Sequence, residues 1–274
     1  MMKGGTDMFL SKKSFWKILI IAGIYFVLGS ICIALAIFSA MMQLDAKMIL
    51  YAGIFAYVFG IIMILWGRFA EGKGNIINLG NKLVRNELKP AEFIKRYEEI
   101  KNSADLVVNR PSIDVLKLVA IAYDTLDKRE ESLSVADEII SVAKNKKKAY
   151  AKLIKADFLF SYGMTQEAEA LFTEAREGKQ DFICQAVTNA ILQDDRAMVM
   201  GDYKTVEIYC LKRLEQTFPK LDNLSRLVLN FRLGEVYEKL QNNEKAISYY
   251  RYCFDNGGET AIKESAGTAL ERLQ

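Results

Sequence analysis

The chain of 274 residues contains no histidine. That absence removes Ser–His–Asp and Cys–His nucleophile arrangements, histidine zinc sites and histidine phosphorelays together. Proline is scarce, at positions 90, 111 and 219 only, so little interrupts helix formation. The four cysteines, at 32, 184, 210 and 253, show no C-x-x-C spacing, which argues against a disulfide framework and a thiolate metal site. A G-x-x-x-x-G-K-[ST] phosphate loop is missing, and the glycine pairs in "GGTD" and "GKGN" lack the strand-to-helix setting that phosphate binding requires. No cofactor, no metal and no enzymatic activity are expected.

Charge is absent from two long stretches, Ile18 to Leu44 and Met48 to Gly67. The second has 20 residues, which at about 1.5 Å per residue spans roughly 30 Å, the thickness of a hydrocarbon core; the first is longer. Both read as transmembrane helices, over about 16–40 and 48–67. Trp16 and Trp66 stand at the outer ends of the pair beside Lys17 and Arg68, where an indole keeps its ring in lipid and its N–H wet. The connection "MMQLDAK" is short enough to demand an antiparallel hairpin. Lys3, Lys12, Lys13 and Lys17 precede the first span and Arg68, Lys73, Lys82 and Arg85 follow the second, whereas the loop offers only Lys47. The positive-inside rule then places both termini in the cytoplasm of a plasma membrane. Gly53, Ala56 and Gly60, with Ala22, Ser30 and Ala34, offer small surfaces for packing the two spans. With no charge at depth the pair reads as an anchor rather than a pore, and homo-oligomerisation stays open.

Residues 1–68 hold six of the 37 Lys/Arg and two of the 34 Asp/Glu, so the remainder carries one acidic charge in excess. That balance excludes a nucleic-acid-binding domain, which needs a basic surplus of its own. The run "KNKKK" at 144–148 fits either a solvated surface joining helices or a contact with anionic lipid. Asp194 and Asp195, neighbours in "QDDR", are expected as exposed acidic surface, because adjacent helical residues face different directions.

After Pro111 the sequence reads as successive helices of about 14 residues with short turns. In "LGEVYEKLQNNEKAISYY" Leu233, Tyr237 and Leu240 share one helical face, Asn243 can cap a second helix, and Ala246, Tyr250 and Cys253 form its matching face. Gly234 and Ala246 are then the small residues at which two antiparallel helices approach, with Tyr237 and Tyr250 beside them. The pattern resembles the tetratricopeptide repeat, a 34-residue helix–turn–helix unit. Its leucine–glycine pair matches Leu233–Gly234, its central aromatic Tyr237, its second-helix alanine Ala246 and the next aromatic Tyr250. Upstream, Ala120, Tyr123 and Ser132 repeat the spacing, as do Ala156, Gly163, Ala168, Phe172 and Ala175, with Leu159 at the central aromatic position. A looser copy near 183–221 has Gly201, Val206 and Cys210 in register and a first helix one turn longer than standard.

The expected fold is therefore all-α: a cytoplasmic segment 1–15, a transmembrane hairpin 16–68, a linker with a degenerate helical hairpin 69–112, and a repeat solenoid 113–274 ending in a capping helix. The resemblance implies a concave surface built from first helices that binds a protein or peptide partner, with Lys117, Asp124, Tyr150, Asp157, Arg232 and Glu235 as candidate groove residues. It points to a bacterial membrane-anchored scaffold or recruitment module. The alternative is an accessory subunit whose hairpin contacts the spans of a larger complex.

Overall fold

A computed structural model describes residues 10–41, 47–102, 106–108, 111–144, 147–177 and 181–274, without the side chains of 10–15, 17–18, 40–41, 48, 63–75 and 106–108. Helix dominates, as the scarcity of proline predicts; among the described residues the strand content is a short antiparallel pairing of β1 (Leu10–Ser11) with β2 (Leu106–Val108). The chain forms two compact units, residues 1–76 with 98–112 and residues 77–97 with 113–274. The stretch 69–112 is thus shared between the units.

The first unit is built on α1 (Lys12–Met41) and most of α2 (Lys47–Gly80). Within α1, Leu19–Ser39 is long and apolar enough to cross a membrane, with mean hydropathy 2.6; the described apolar stretch of α2 is Ile49–Ile62. Trp66 lies outside the described side chains. The helices are antiparallel, since Gly60 faces Tyr25 and Ala22 while Gly53 faces Gly29 and Ile33. A Cβ at Gly53 would meet Ile33 Cγ1 at 2.9 Å and Gly29 O at 3.1 Å. Small residues seven apart line the seam, Ala22, Gly29 and Ala36 on one helix and Gly53 and Gly60 on the other, the repeat that keeps one face turned to a partner helix. Ala34 is exposed and outside this seam. Ser30 Oγ donates to Phe26 O at 2.9 Å and accepts from the Tyr57 hydroxyl at 2.5 Å, so both hydroxyls are satisfied. Large apolar side chains face outward, among them Ile20, Ile24, Ile31, Phe38, Phe55 and Ile62.

The second unit contains the end of α2, a π-helical turn at Asn81–Asn86, the start of α3 (Pro90–Lys101), and α4 (Ile113–Asp124), α5 (Arg129–Val142), α6 (Lys147–Ser161), α7 (Thr165–Glu177), α8 (Phe182–Gln193), α9 (Asp195–Val199), α10 (Tyr203–Glu215), α11 (Asn223–Lys239), α12 (Asn243–Asn256) and α13 (Ala261–Leu273). Pro90 opens α3, where its missing N–H costs nothing. Four helix–turn–helix hairpins follow one another: α4/α5, α6/α7, α8–α9/α10 and α11/α12. Their turns share one geometry. The N–H groups of Lys128, Met164, Asp202 and Asn242 donate to the carbonyls of Tyr123, Leu159, Ala197 and Tyr237, each five residues back. The residue just before each donor has positive φ: Asp127, Gly163, Gly201 and Gln241. Gly163 therefore serves backbone conformation at an open turn (nothing lies within 4 Å of its would-be Cβ) and not the helix packing expected of it. Four residues after each donor stand Ser132, Ala168, Val206 and Ala246, all fully buried.

The equivalent acceptors recur at intervals of 36, 38 and 40 residues, longer than the expected 34. The excess in the third hairpin comes from its split first helix, where α8 ends at Gln193, Asp194 stands between, and α9 starts at Asp195. Asn242, not Asn243, caps α12, accepting from Lys245 N at 3.2 Å. The row of hairpins winds back on itself: Ala261 N donates to Thr125 O at 2.8 Å, joining the start of α13 to the end of α4. Residues 77–97 link the first hairpin to the last, touching α4, the start of α11 and the α12–α13 connection. Gly80 lies under Leu118 and Phe93, Arg85 pairs with Asp222 at 2.9 Å, Asn223 donates to Asn86 O at 2.7 Å, and Glu259 N donates to Leu88 O at 2.9 Å.

Candidate functional site

The shared turn geometry gives every first-helix residue an equivalent in the other hairpins. Three residues before each turn acceptor stand Ala120, Ala156, Asp194 and Gly234; the next position is Ile121, Asp157, Asp195 and Glu235. A carboxyl group thus recurs at one position in three of the four first helices. Adjacent helices bring these positions together, and a half-buried polar seam runs across α4, α6, α8–α9 and α11.

All six candidate groove residues lie on or beside this seam, in three connected contacts. Lys117 Nζ donates to the Tyr150 hydroxyl at 3.0 Å and sits 5.3 Å from that ring's centre. Asp124 accepts from the Tyr162 hydroxyl at 2.7 Å. Asp157 lies close enough to Asp195 to feel its charge, and Asp195 leads to Arg232 and Glu235. The Arg232 guanidinium has a carboxylate opposite each nitrogen: Asp194 at 2.9 Å from Nε, Asp195 at 2.5 Å from Nη2 and Glu235 at 3.0 Å from Nη1. The Nε contact has the distance of an ion pair without the alignment of a hydrogen bond, so Asp194 Oδ1 and Nε lack a hydrogen-bond partner. Arg232 is still the largest charged neighbour of Asp194, whereas Asp195 is the largest for Arg232.

Asp194 and Asp195 are not exposed acidic surface. Their side chains are 14% exposed and that of Arg232 16%. The helix break between them lets two consecutive carboxyl groups converge on one guanidinium, which neighbours on a continuous helix would not do. They are the functional candidates that sequence reasoning missed. The available signal was the long third first helix, with its "DD" at the register of Gly234 and Glu235. Tyr162 was missed as well, because it falls in a turn rather than on the helix that precedes it.

Burial and like charge set the electrostatics. Burial, reinforced by Asp195 and Asp194 and opposed by Lys117, pushes the Asp157 carboxyl well above the usual range. Asp194 is pushed up to about 6 by burial and by Asp195, against the pull of Arg232. Burial also raises Glu235 and Asp124. Burial works against the Arg232 charge, yet Asp195, Asp194 and Glu235 outweigh it and hold the guanidinium protonated. Five carboxyl groups, at 124, 157, 194, 195 and 235, face three cations, Lys117, Arg232 and Arg129, the last of which also pairs with Asp127. The seam is short of positive charge. In a low-dielectric setting that deficit favours an incoming ammonium or guanidinium group. Among the described residues no group of three or more Cys, Asp or Glu is arranged to hold a metal ion.

Ala120, Ala156, Ala168 and Ala246 are fully buried, Tyr237 and Tyr250 nearly so, and Tyr123 is half-buried. Tyr250, rather than Ala246, is the nearest neighbour of Gly234 across the hairpin. No family model matches the chain, and no curated protein is significantly similar to it.

Proposed function

We propose that this protein is a membrane-anchored helical-repeat module that binds a protein partner, in the manner of tetratricopeptide repeats. In this reading α1 and α2 both span the plasma membrane, and both termini are cytoplasmic. The row of hairpins scaffolds or recruits a cytoplasmic partner. The observation that supports it is the seam of first-helix side chains: a repeated carboxyl position, half-buried, with more acid than base. Its complement is an extended segment bearing lysine or arginine, whose cation meets the Asp157–Asp195–Glu235 row while its backbone follows the helices. The longer repeat interval and the strap of residues 77–97 distinguish this chain from the 34-residue unit.

The test is a fluorescence anisotropy titration of the detergent-solubilised full chain with lysine-rich and glutamate-rich peptides of equal length. Binding of the lysine-rich peptide alone, weakened by salt and by Glu235→Gln, is expected. Equal affinity for both peptides, or no effect of Glu235→Gln, refutes the assignment.

A further inference from the structure

The centre of the seam is mostly covered. The side chains of Asp194, Asp195 and Arg232 are 14–16% exposed, so a lysine from outside reaches these carboxyl groups only where neighbouring first helices move apart. What resists that motion is the joint between the first hairpin and the last. A row of hairpins with free ends spreads by small rotations at each interface, whereas a row tied end to end spreads only when the tie breaks.

The tie has two described parts. One is the bond from Ala261 N to Thr125 O at 2.8 Å. The other is the segment Asn81–Lys89. Gly80, just before it, is attached to the first hairpin by apolar contact, under Leu118 and Phe93. The described attachments to the last hairpin are mainly polar. Arg85 Nη1 pairs with Asp222 at 2.9 Å with both side chains partly exposed, Asn223 Nδ2 donates to Asn86 O at 2.7 Å, and Glu259 N donates to Leu88 O at 2.9 Å. Polar contacts open to water are individually weak.

The backbone of this segment is irregular. Glu87 N donates to Lys82 O and Lys89 N to Leu83 O, five and six residues back. Leu88 has φ 55, a left-handed conformation that leucine keeps only where its surroundings hold it. The last hairpin supplies part of that hold: Glu259 N fixes the Leu88 carbonyl, and a Cβ at Gly258 would fall 2.7 Å from Leu88 Cβ. Detached from the α12–α13 connection, Leu88 can return to an ordinary φ. The strain therefore opposes the tie and favours release.

We propose that Asn81–Lys89 is a releasable clasp that regulates access to the seam. Closed, it ties the first hairpin to the last; released, it lets the first helices part around an incoming lysine-bearing segment. The inference rests on the reading of the seam as the partner site. Linkage makes the two events reciprocal: whatever factor release adds to partner affinity, the partner adds to release.

Hydrogen exchange of the full chain in detergent micelles, resolved to single amides by mass spectrometry, tests this alongside anisotropy titration with a lysine-rich peptide. In the unmodified chain, saturating peptide should speed exchange at Glu259 and Ala261 several-fold and leave the turn amides of Met164 and Asn242 unchanged. Changing Arg85→Gln and Leu88→Gly together should speed the same two amides without peptide and tighten peptide binding several-fold. Peptide binding without faster exchange at 259 and 261 overturns the clasp and leaves the seam as the partner site. So does a double variant whose exchange at these amides is unchanged, or rises without a gain in affinity. No peptide binding to either chain removes the seam reading, and the clasp with it. If the double variant also loses protection at Met164 and Asn242, its array has unfolded and the unmodified chain decides.

Discussion

Gly234 is tightly enclosed within the last hairpin, and its replacement by leucine has a calculable outcome. A Cβ at 234 would lie 2.6, 2.7 and 3.0 Å from Cε1, Cδ1 and Cζ of Tyr250, against about 3.5–4.0 Å for ordinary carbon contact. The ring has little freedom to retreat. It is 2% exposed, packs edge-on against Phe231 with centroids 5.5 Å apart, and its hydroxyl donates to Glu238 at 2.9 Å. Overpacking of this kind costs about 1–3 kcal/mol, and displacing the hydroxyl adds about 1 kcal/mol for the lost hydrogen bond. Removing a mid-helix glycine returns about 1 kcal/mol. The expected net loss for Gly234→Leu is thus about 1–3 kcal/mol, and Gly234→Ala should fall near the lower end. Thermal unfolding followed by circular dichroism in detergent micelles reads this as a fall in Tm of about 2–4 °C per kcal/mol. Combining Gly234→Leu with Tyr250→Ala should cost less than the two changes summed, by about 0.5 kcal/mol or more. Additive effects, or a Gly234→Ala chain more stable by the full helix-propensity gain, would show that the close approach is not real.

Three further outcomes follow from the same geometry. Arg232→Met should destabilise the second unit by about 3–5 kcal/mol, because Asp194, Asp195 and Glu235 lose their shared cation; a neutral effect in chemical denaturation would remove Arg232 from the centre of the seam. Asp157, Asp194, Glu235 and Asp124 have carboxyl pKa values raised by folding, so the folded chain holds protons that the unfolded chain has released. Stability should therefore fall as pH rises from the usual aspartate value of 3.8 through about 6, where Asp194 titrates, and Asp157→Asn should flatten that slope; a denaturation midpoint rising over this interval contradicts the assignment. In the first unit, a Cβ at Gly29 would lie 2.7 Å from Tyr57 Cδ2, so Gly29→Leu should pry the α1–α2 seam apart and reduce disulfide trapping between cysteines introduced at Ala22 and Gly60, whereas unchanged trapping would refute the close seam.

What could be read from the sequence follows the range of the forces involved. Apolar runs and small residues at helical spacing act locally, and they located α1, the hairpins from α4 onward, and the buried Ala120, Ala156, Ala168 and Ala246. Gly163 was legible as special but ambiguous in role, since glycine serves both close packing and positive φ, and only the turn bond from Met164 N to Leu159 O distinguishes them. Asp194 and Asp195 were misjudged because a helix break depends on what lies across the seam: the guanidinium of Arg232 is far away in sequence and a few ångströms away in space. The strap 77–97 was hidden for the same reason, its partners Asp222, Asn223 and Glu259 belonging to the far end of the array. Six groove positions projected from a repeat register did fall on or beside one seam, because equivalent turns fix equivalent directions.

The central proposal is that the row of first helices receives a protein partner. Benzoylphenylalanine introduced at Glu235, or at its repeat-equivalent Ile121, in the full chain in intact cells tests it most directly, with exposed Ser248 on α12 as the outward control. The account predicts one discrete protein adduct from 235 and 121, none from 248, and its loss on Asp157→Lys in a chain that keeps its helical melting transition. Equal labelling from 248, or no protein adduct from either seam position, would contradict it.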